Sequence, residues 1–369
     1  MPLADIDGSD VTLPVDAAVL RWFQTAADCD ASDLHLVPGS PPVMRVHGRL
    51  CSLDEPAIDD VTLRARLMPL CPAVLRSRLA DELDLDFSLD IELARRRQRF
   101  RVNYFVTHQQ LGACFRLIPD AIPTLQWAGF PEAVADRIAS FRNGLVIVSG
   151  VVGSGKSTTL AMILNRMNAA GNHRIITIEE PVEYVFPGMP DSLVTQREVG
   201  LDVRSFAEGM RSSLRQDPDV ILVGEIRDLQ TAQMAITAAE TGLLVLSTLH
   251  ARDAKGVISR LTDLYPLDSQ NEVRSMLAGS LRAVVCQHLL PGVDEHDKRK
   301  LAVEVMFNNQ PIASGIRIGK LQSLDTGILT GRDQGMIPLD ESIRRLYQEH
   351  EIDRETALRF VSEPSVLKW

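Results

Sequence analysis

Glycines at fixed spacing, with a lysine and a serine behind them, are the residues of this chain best suited to hold a phosphate. In GLVIVSGVVGSGKSTT, Gly144 to Thr159, the order G-x-x-x-x-G-K-S runs from Gly150 to Ser157. The apolar run Leu145 to Val148 precedes it and a helix-forming segment follows, which is the context a phosphate-binding loop requires. Glycine permits the dihedrals that turn successive backbone N–H groups inward. Those of Gly153, Gly155 and Lys156 can therefore close on a phosphate, helped by the positive N-terminal end of the helix. The Lys156 ammonium reaches the β- and γ-phosphates, and the Ser157 hydroxyl is offered to Mg²⁺. With Gly150, Ser154 and Thr158 completing the loop, the sequence predicts a site for ATP and Mg²⁺. A plain glycine turn between a core strand and a helix is the alternative.

Hydrolysis also needs carboxylates. Val220 to Val223 is apolar and ends in Gly224-Glu225, which puts the Glu225 carboxylate at the end of a strand, where it can hold Mg²⁺ directly or through water. IITIEEPVEY delivers Glu179, Glu180 and Glu183 to the same edge, and a carboxylate there can orient or deprotonate the attacking water. A further run ends in STLHA, which brings Thr248 and His250 to the crevice as sensors of the γ-phosphate. The charge that develops on a γ-phosphoryl group suits a guanidinium, with Arg101, Arg116, Arg211 and Arg215 as candidates. Each of these side chains alone reads as an ordinary surface or hydrogen-bonded group. Three strand ends sharing one crevice favour the catalytic reading.

The composition limits the alternatives. A chain of 369 residues, 45% hydrophobic and 24% charged, is that of a soluble globular protein with room for two or three domains. A net charge of -10 argues against a general nucleic-acid role, and the cluster Arg95 to Arg97 with Arg99 and Arg101 reads as a solvated edge. The 5 cysteines, Cys29, Cys51, Cys71, Cys114 and Cys286, are scattered with no C-x-x-C pair. Neither a zinc ribbon nor a disulfide framework is expected, and free thiols in a reducing cytosol are. The opening MPLADIDGSD has no basic n-region or apolar h-region, and no apolar run approaches the ~18 residues of a membrane span. Association with a membrane is therefore expected through a partner.

The elements that must position these residues follow from hydrophobic period. Residues 1–14 read as a polar tail. Val15 to Ala27 forms an amphipathic helix with Val19, Leu20, Trp22 and Phe23 on one stripe. Leu34 to Val37 and Val43 to Leu50, separated by PGSPP, predict a hairpin, followed by a helix over Val61 to Leu79 and three further strands. This first domain is expected to cover 15–119, with a linker over 120–130. Runs at Leu145 to Ser149, Ile175 to Ile178, Val220 to Val223 and Leu243 to Leu249 then alternate with helical segments, as a parallel sheet requires. The core of that domain is expected over 131–290, and 291–369 is expected to be polar and mostly helical.

Four segments, in order and spacing, resemble the secretion ATPase superfamily, the motors of type II secretion, type IV pili and some type IV secretion systems. GVVGSGKSTT resembles its Walker A motif, TIEEPVEY its Asp box, LRQDPDVILVGEIRD its Walker B motif and AAETGLLVLSTLHA its His box. ASDLHL, the pattern G-x-P-P-x-x-R-x-x-G from Gly39 to Gly48, RFRVN and FRLIP are also similar to family segments. Within the superfamily the chain most resembles the PilT/PilU branch of type IV pilus retraction ATPases. Its single short N-terminal domain and the segment GMIPLDESI suit that branch, and the four-cysteine zinc motif of extension and type II secretion ATPases is lacking.

The resemblance implies a RecA-like P-loop ATPase domain behind a smaller PAS-like α+β domain, with a helical C-terminal segment. It implies that Lys156 and Ser157 bind ATP and Mg²⁺, that Glu183 is the catalytic base, and that Glu225 and His250 are the Walker-B and His-box residues. Arg101 and Arg116 match N-terminal-domain arginines that reach toward nucleotide. The family forms hexameric rings by closed head-to-tail contacts. A homo-hexamer in the cytoplasm is therefore expected, held peripherally at the inner membrane by a platform protein and possibly paired with a paralogous ATPase. Four positions depart from the pattern: Val151-Val152 stands for Pro-Thr, Glu180 for aspartate and Leu243 for a second histidine. Besides a motor for pilus retraction and twitching motility, the residues admit a motor of a type IV secretion or conjugation system, a weakly hydrolysing accessory subunit, and a DNA-handling RecA-like motor that the acidic charge disfavours.

Overall fold

A computed structural model describes residues 15–46, 49–94, 97–118, 121–293 and 298–367. The chain divides into two compact units, Met1–Asp120 and Ala121–Trp369. The expected tail lies outside the described residues, as do Gly48, Arg95 and Arg96.

The first unit is an antiparallel sheet covered by helices. Its strands are β1 (Asp33–Leu36), β2 (Val43–Val46), β3 (Arg49–Ser52), β4 (Asp84–Glu92), β5 (Arg97–Thr107) and β6 (Gln110–Ile118), in the order β3-β2-β1-β6-β5-β4. Every neighbouring pair is antiparallel. The helix Ala17–Asp28 starts where the Asp16 carboxylate accepts the Ala18 N–H, and it buries Val19, Trp22 and Phe23. Leu20, placed on that stripe from sequence, is exposed. Phe23 packs against Phe100 and Phe115 with ring centroids 4.5 and 4.9 Å apart. The buried Tyr104 hydroxyl donates to the Leu67 carbonyl at 2.7 Å, so a polar tip carried into the core is satisfied.

Two expectations for this unit need correction. The run Val43 to Leu50 belongs to two antiparallel strands, with Val46 paired to Arg49; alternation of hydrophobicity does not mark where the first ends and the second begins. The helix expected over Val61 to Leu79 is broken into Asp60–Leu67 and Arg76–Glu82 with two short 3₁₀ turns between. Pro69 and Pro72 remove the backbone donors a continuous helix needs.

The second unit is built on a sheet of seven strands. These are β7 (Gly144–Gly150), β8 (His173–Glu179), β9 (Ser192–Glu198), β10 (Val220–Val223), β11 (Leu244–Leu249), β12 (Leu281–Leu290) and β13 (Lys300–Phe307), ordered β13-β12-β7-β11-β10-β8-β9. All neighbours are parallel except β12 and β13. The four strands expected from sequence form the centre, and β7, β10 and β11 are buried along their whole length. Because β7, β11, β10 and β8 are parallel neighbours, their carboxyl ends emerge on one edge, where ligands of open α/β sheets bind.

The C-terminal expectation is corrected by β13, an eight-residue strand inside the segment expected to be polar and helical. KLAVEVMF is apolar enough to pair with β12, and the helices Gln310–Arg317, Ser323–Thr330, Leu339–Gln348 and Arg354–Phe360 follow it. The expected linker is corrected too: Leu125 and Phe130 are buried in the core of the second unit. The strand β12 was hidden because the helix Gln270–Ser280 passes into it without a turn.

Glu304, on β13, accepts the Ala254 N–H at 2.7 Å at the start of the helix Ala254–Asp263. Burial raises its carboxyl to about 7, against the bond from Ala254, and the nearby Asp253 and Asp325 charges raise it further. Between its ordinary value of 4.5 and about 7 the folded chain binds more protons than the unfolded one, so stability falls as pH rises through that window. Glu304→Gln keeps an acceptor for Ala254 and removes the titration. Its Tm should match the parent near pH 4.5 and exceed it at pH 8, by about 2–4 °C for each kcal/mol recovered. A difference that is the same at both pH values would show that Glu304 does not titrate in this range.

Candidate functional site

The loop after β7 has the backbone of a phosphate cradle. Gly150, Gly153 and Gly155 all have positive φ, and Gly155 in the left-handed region opens the helix Lys156–Ala170. A Cβ at Gly150 would lie 2.5 Å from the Gln287 carbonyl and from Ser154 Oγ, so no other residue fits there. Gly150→Ala should therefore cost both stability and nucleotide affinity, measured as a lowered Tm and at least about a tenfold weaker ATP Kd. Ser154 is buried, and its Oγ has no hydrogen-bond partner among the described residues. A buried hydroxyl left in that position fits a phosphate oxygen completing the loop.

Lys156 is folded back on its own loop. Its Nζ donates to the carbonyls of Gly150 at 3.0 Å and Val151 at 3.2 Å, and lies 3.4 Å from His250 Nδ1. Burial pulls its ammonium below the usual range, while the Glu225 and Glu183 carboxylates act in the opposite direction. Both acids expected from sequence thus act on the P-loop lysine. Ser157 is exposed in the first turn of the helix. The hydroxyls of its neighbours are engaged: Thr158 Oγ1 lies 2.9 Å from the Tyr184 hydroxyl, and Thr159 Oγ1 accepts from Gln287 Nε2 at 2.7 Å.

Glu225 sits at the turn after β10, between two partners. His250 Nε2 is 3.1 Å from its Oε1, and Arg227 Nε donates to its Oε2 at 2.8 Å. A lysine only donates and a carboxylate only accepts, so neighbours on both ring nitrogens suit an imidazole with its proton on Nε2. The placement of His250 follows from Ser149, whose hydroxyl meets the Leu249 and Ala251 carbonyls and accepts the Ala251 N–H at 2.8 Å. Thr248 has a different part from the one expected. Its hydroxyl is nearly buried and donates to the Gly224 carbonyl at 2.6 Å, so it braces the turn carrying Glu225 and does not face a phosphate.

The loop that carries Glu183 is held by β9, a strand not anticipated from sequence. Gln196 donates to the Tyr184 carbonyl at 2.7 Å and to Glu179 at 3.1 Å, and its Oε1 accepts the Phe186 N–H. Glu198 accepts the Val182 N–H at 3.1 Å. The Glu179 carboxyl, buried and bonded to Thr177 Oγ1 at 2.6 Å, is raised by that burial to about 7. Glu179 is thereby a structural acid under the loop, and of these two glutamates it is Glu183 whose charge acts on Lys156.

The arginine candidates are distributed over the two units. Arg101 and Arg116 lie directly opposite each other on β5 and β6, and Arg116 Nε is 2.9 Å from Asp33 Oδ1. Arg211 lies in the last turn of the helix Phe206–Ser213, and Arg215 donates to its carbonyl at 3.1 Å. Of the departures in the loop, Val151 and Val152 are turned outward, Val152 with 83% of its surface exposed. Neither side chain enters the cradle. Arg227 and Gln196 are not among the residues expected from sequence: Arg227 lies two residues beyond Glu225 in GEIRD, where the sequence does carry a signal, whereas Gln196 carries none of its own.

A family profile described as type II/IV secretion system protein matches residues 10–363. The chain belongs to that family. It is 40% identical to the type IV pilus retraction ATPase PilT of Pseudomonas aeruginosa over 327 residues, covering 89% of this chain and 93% of the relative. It is 35% identical to the type IV pilus ATPase PilU of the same organism, covering 91% of this chain and 87% of that one. A crystal structure of the pilus retraction motor PilT with bound ADP superposes with a TM-score of 0.84 at 36% identity, covering 94% of this chain and 98% of that one. With this fold and loop, the chain is a PilT-like P-loop ATP hydrolase with a RecA-like catalytic unit.

Proposed function

We propose that this chain is the ATP-driven motor of type IV pilus retraction, working as a homo-hexamer in the cytoplasm and held at the inner membrane by a platform protein. The observation that carries the reading is the convergence of Lys156, His250, Glu225 and Glu183 at the carboxyl edge of β7, β11, β10 and β8, in a chain related to PilT along nearly its whole length. The alternatives of a type IV secretion motor and a weakly hydrolysing subunit are less favoured, since PilT and PilU match at 40% and 35% identity over 89% and 91% of this chain, whereas a type II secretion protein of Pseudomonas aeruginosa that matches over 95% of it is 32% identical.

In this reading the backbone of Gly153 to Thr158, the Ser154 hydroxyl and Lys156 hold the phosphates of ATP. Lys156 exchanges its loop carbonyls and His250 for phosphate oxygens. Ser157 and Glu225 are the oxygen donors available to Mg²⁺, whose role when bound is to neutralise charge on the β- and γ-phosphates. Glu183 orients the attacking water and accepts its proton, and His250 holds Glu225 and reports on Lys156. Arg101 and Arg116 add positive charge from the first unit, 15–119 in function, toward a nucleotide of the ring. No helix among the described residues is long and apolar enough to cross a membrane. In this reading force reaches the pilus through the platform protein, with a paralogous ATPase as a second subunit type.

The test is complementation. Expressed in a bacterium whose own retraction motor has been deleted, the chain should restore a twitching zone, and its Lys156→Ala variant should not. A purified, active ATPase that restores no movement in its own host, while secretion there requires it, would transfer the motor to another apparatus.

A further inference from the structure

The loop after β10 contains a side chain that none of these roles uses. Arg227 donates through Nε to Glu225 Oε2 at 2.8 Å and through its NH1 nitrogen to Glu180 Oε2 at 2.9 Å. One guanidinium therefore spans two carboxylates that come from different strand ends, Glu225 after β10 and Glu180 after β8. The parallel pairing of these strands, Val223 opposite Ile178, is what brings the two acids together. Like charges brought to one guanidinium repel each other. The guanidinium offers a separate, fixed donor to each, which a point charge such as lysine cannot reproduce.

Stability gives no sufficient reason for the arrangement. The Arg227 side chain is 58% exposed and that of Glu180 37%, and exposed ion pairs contribute about 0–1 kcal/mol. The Glu225 side chain, by contrast, is only 16% exposed. His250 takes one of its oxygens and Arg227 the other, so the carboxylate is fixed in rotation as well as in position.

We propose that Arg227 is a positioning residue: it bridges Glu225 and Glu180, holds the Glu225 carboxylate in its working orientation, and shields it from the second acid. This rests on the reading of Glu225 as part of the hydrolytic site. Glu180 is then harmless only while Arg227 is present.

A double-mutant cycle on the full chain tests the idea, using kcat for ATP, KM, calorimetric ADP affinity with Mg²⁺, and Tm without nucleotide. Arg227→Ala should lower kcat by about 10–100-fold, leave KM and ADP Kd within about threefold, and move Tm by no more than about 3 °C. Glu180→Ala should lower kcat a few-fold in the parent but raise it in the Arg227→Ala background, because the unshielded like charge is gone. Should Arg227→Ala fail to fold, Arg227→Lys takes its place in the same cycle, with the same reversal expected in weaker form. Equal effects of Glu180→Ala in both backgrounds, or a kcat for the Arg227 variant within twofold of the parent, would overturn the proposal. If the parent itself does not hydrolyse ATP, the reading of the site fails, and that outcome is distinct from an active parent without coupling.

Discussion

Glu183→Gln abolishes ATP turnover while leaving ATP bound. The glutamine keeps the size and the acceptor oxygen but cannot take a proton, and loss of a general base costs about 10²–10⁴ in rate. The cradle does not depend on that side chain: the loop from Gly150 to Gly155 follows β7, and the helix behind it is bonded through Thr159 to Gln287 and through Thr158 to Tyr184, none of which the substitution alters. The loop bearing Glu183 is in turn held by Gln196 and Glu198 of β9, which the substitution leaves intact. Single-turnover hydrolysis and equilibrium binding of a fluorescent ATP analogue separate the two effects. A variant that has lost nucleotide affinity by more than about tenfold would contradict the role given to Glu183.

Lys156→Ala should remove binding and turnover together. Its ammonium lies against the loop itself, already directed at the Gly150 and Val151 carbonyls where phosphate oxygens must compete. Truncating one partner of a hydrogen-bonded charge pair costs about 2–5 kcal/mol, so ATP Kd should weaken by at least roughly thirtyfold. The apo fold should persist, because the lysine is half-buried and the strand before it is held by β11 and β12. Isothermal titration with ATP and Mg²⁺ checks the first part and circular dichroism the second. Retained affinity with lost turnover would make Lys156 a catalytic residue and not a binding one.

The parts of the site that could be read from sequence are those whose chemistry fixes their spacing. Gly150, Gly155, Lys156 and Ser157 must follow one another closely because they wrap one phosphate, and Glu225 and His250 end apolar runs that can only be buried strands. The central strands β7, β8, β10 and β11 were legible for the same reason. What escaped detection is set by tertiary pairing. The strand β9 has a mixed pattern, intermediate in burial along most of its length, because it is an edge strand whose side chains serve the neighbouring loop. Apolar content alone could not separate β12 and β13 from helices, since only their pairing with β7 and with each other makes them strands. Thr248 looked like a sensor because it lies two residues before His250, but its hydroxyl is taken up by the Gly224 carbonyl, a partner that only the tertiary fold brings within reach. Arg227 was visible as a residue. Its bridging position depends on Glu180, which only the adjacency of β8 and β10 brings within reach.

The claim on which everything else stands is that this chain hydrolyses ATP as an assembled ring. Steady-state phosphate release by the purified protein with Mg²⁺, run beside its mass in solution with and without ATP, tests it most directly. The account predicts turnover by a species six times the 40.8 kDa chain mass, abolished by Lys156→Ala. A stable hexamer with no turnover, or turnover unchanged in that variant, would contradict it.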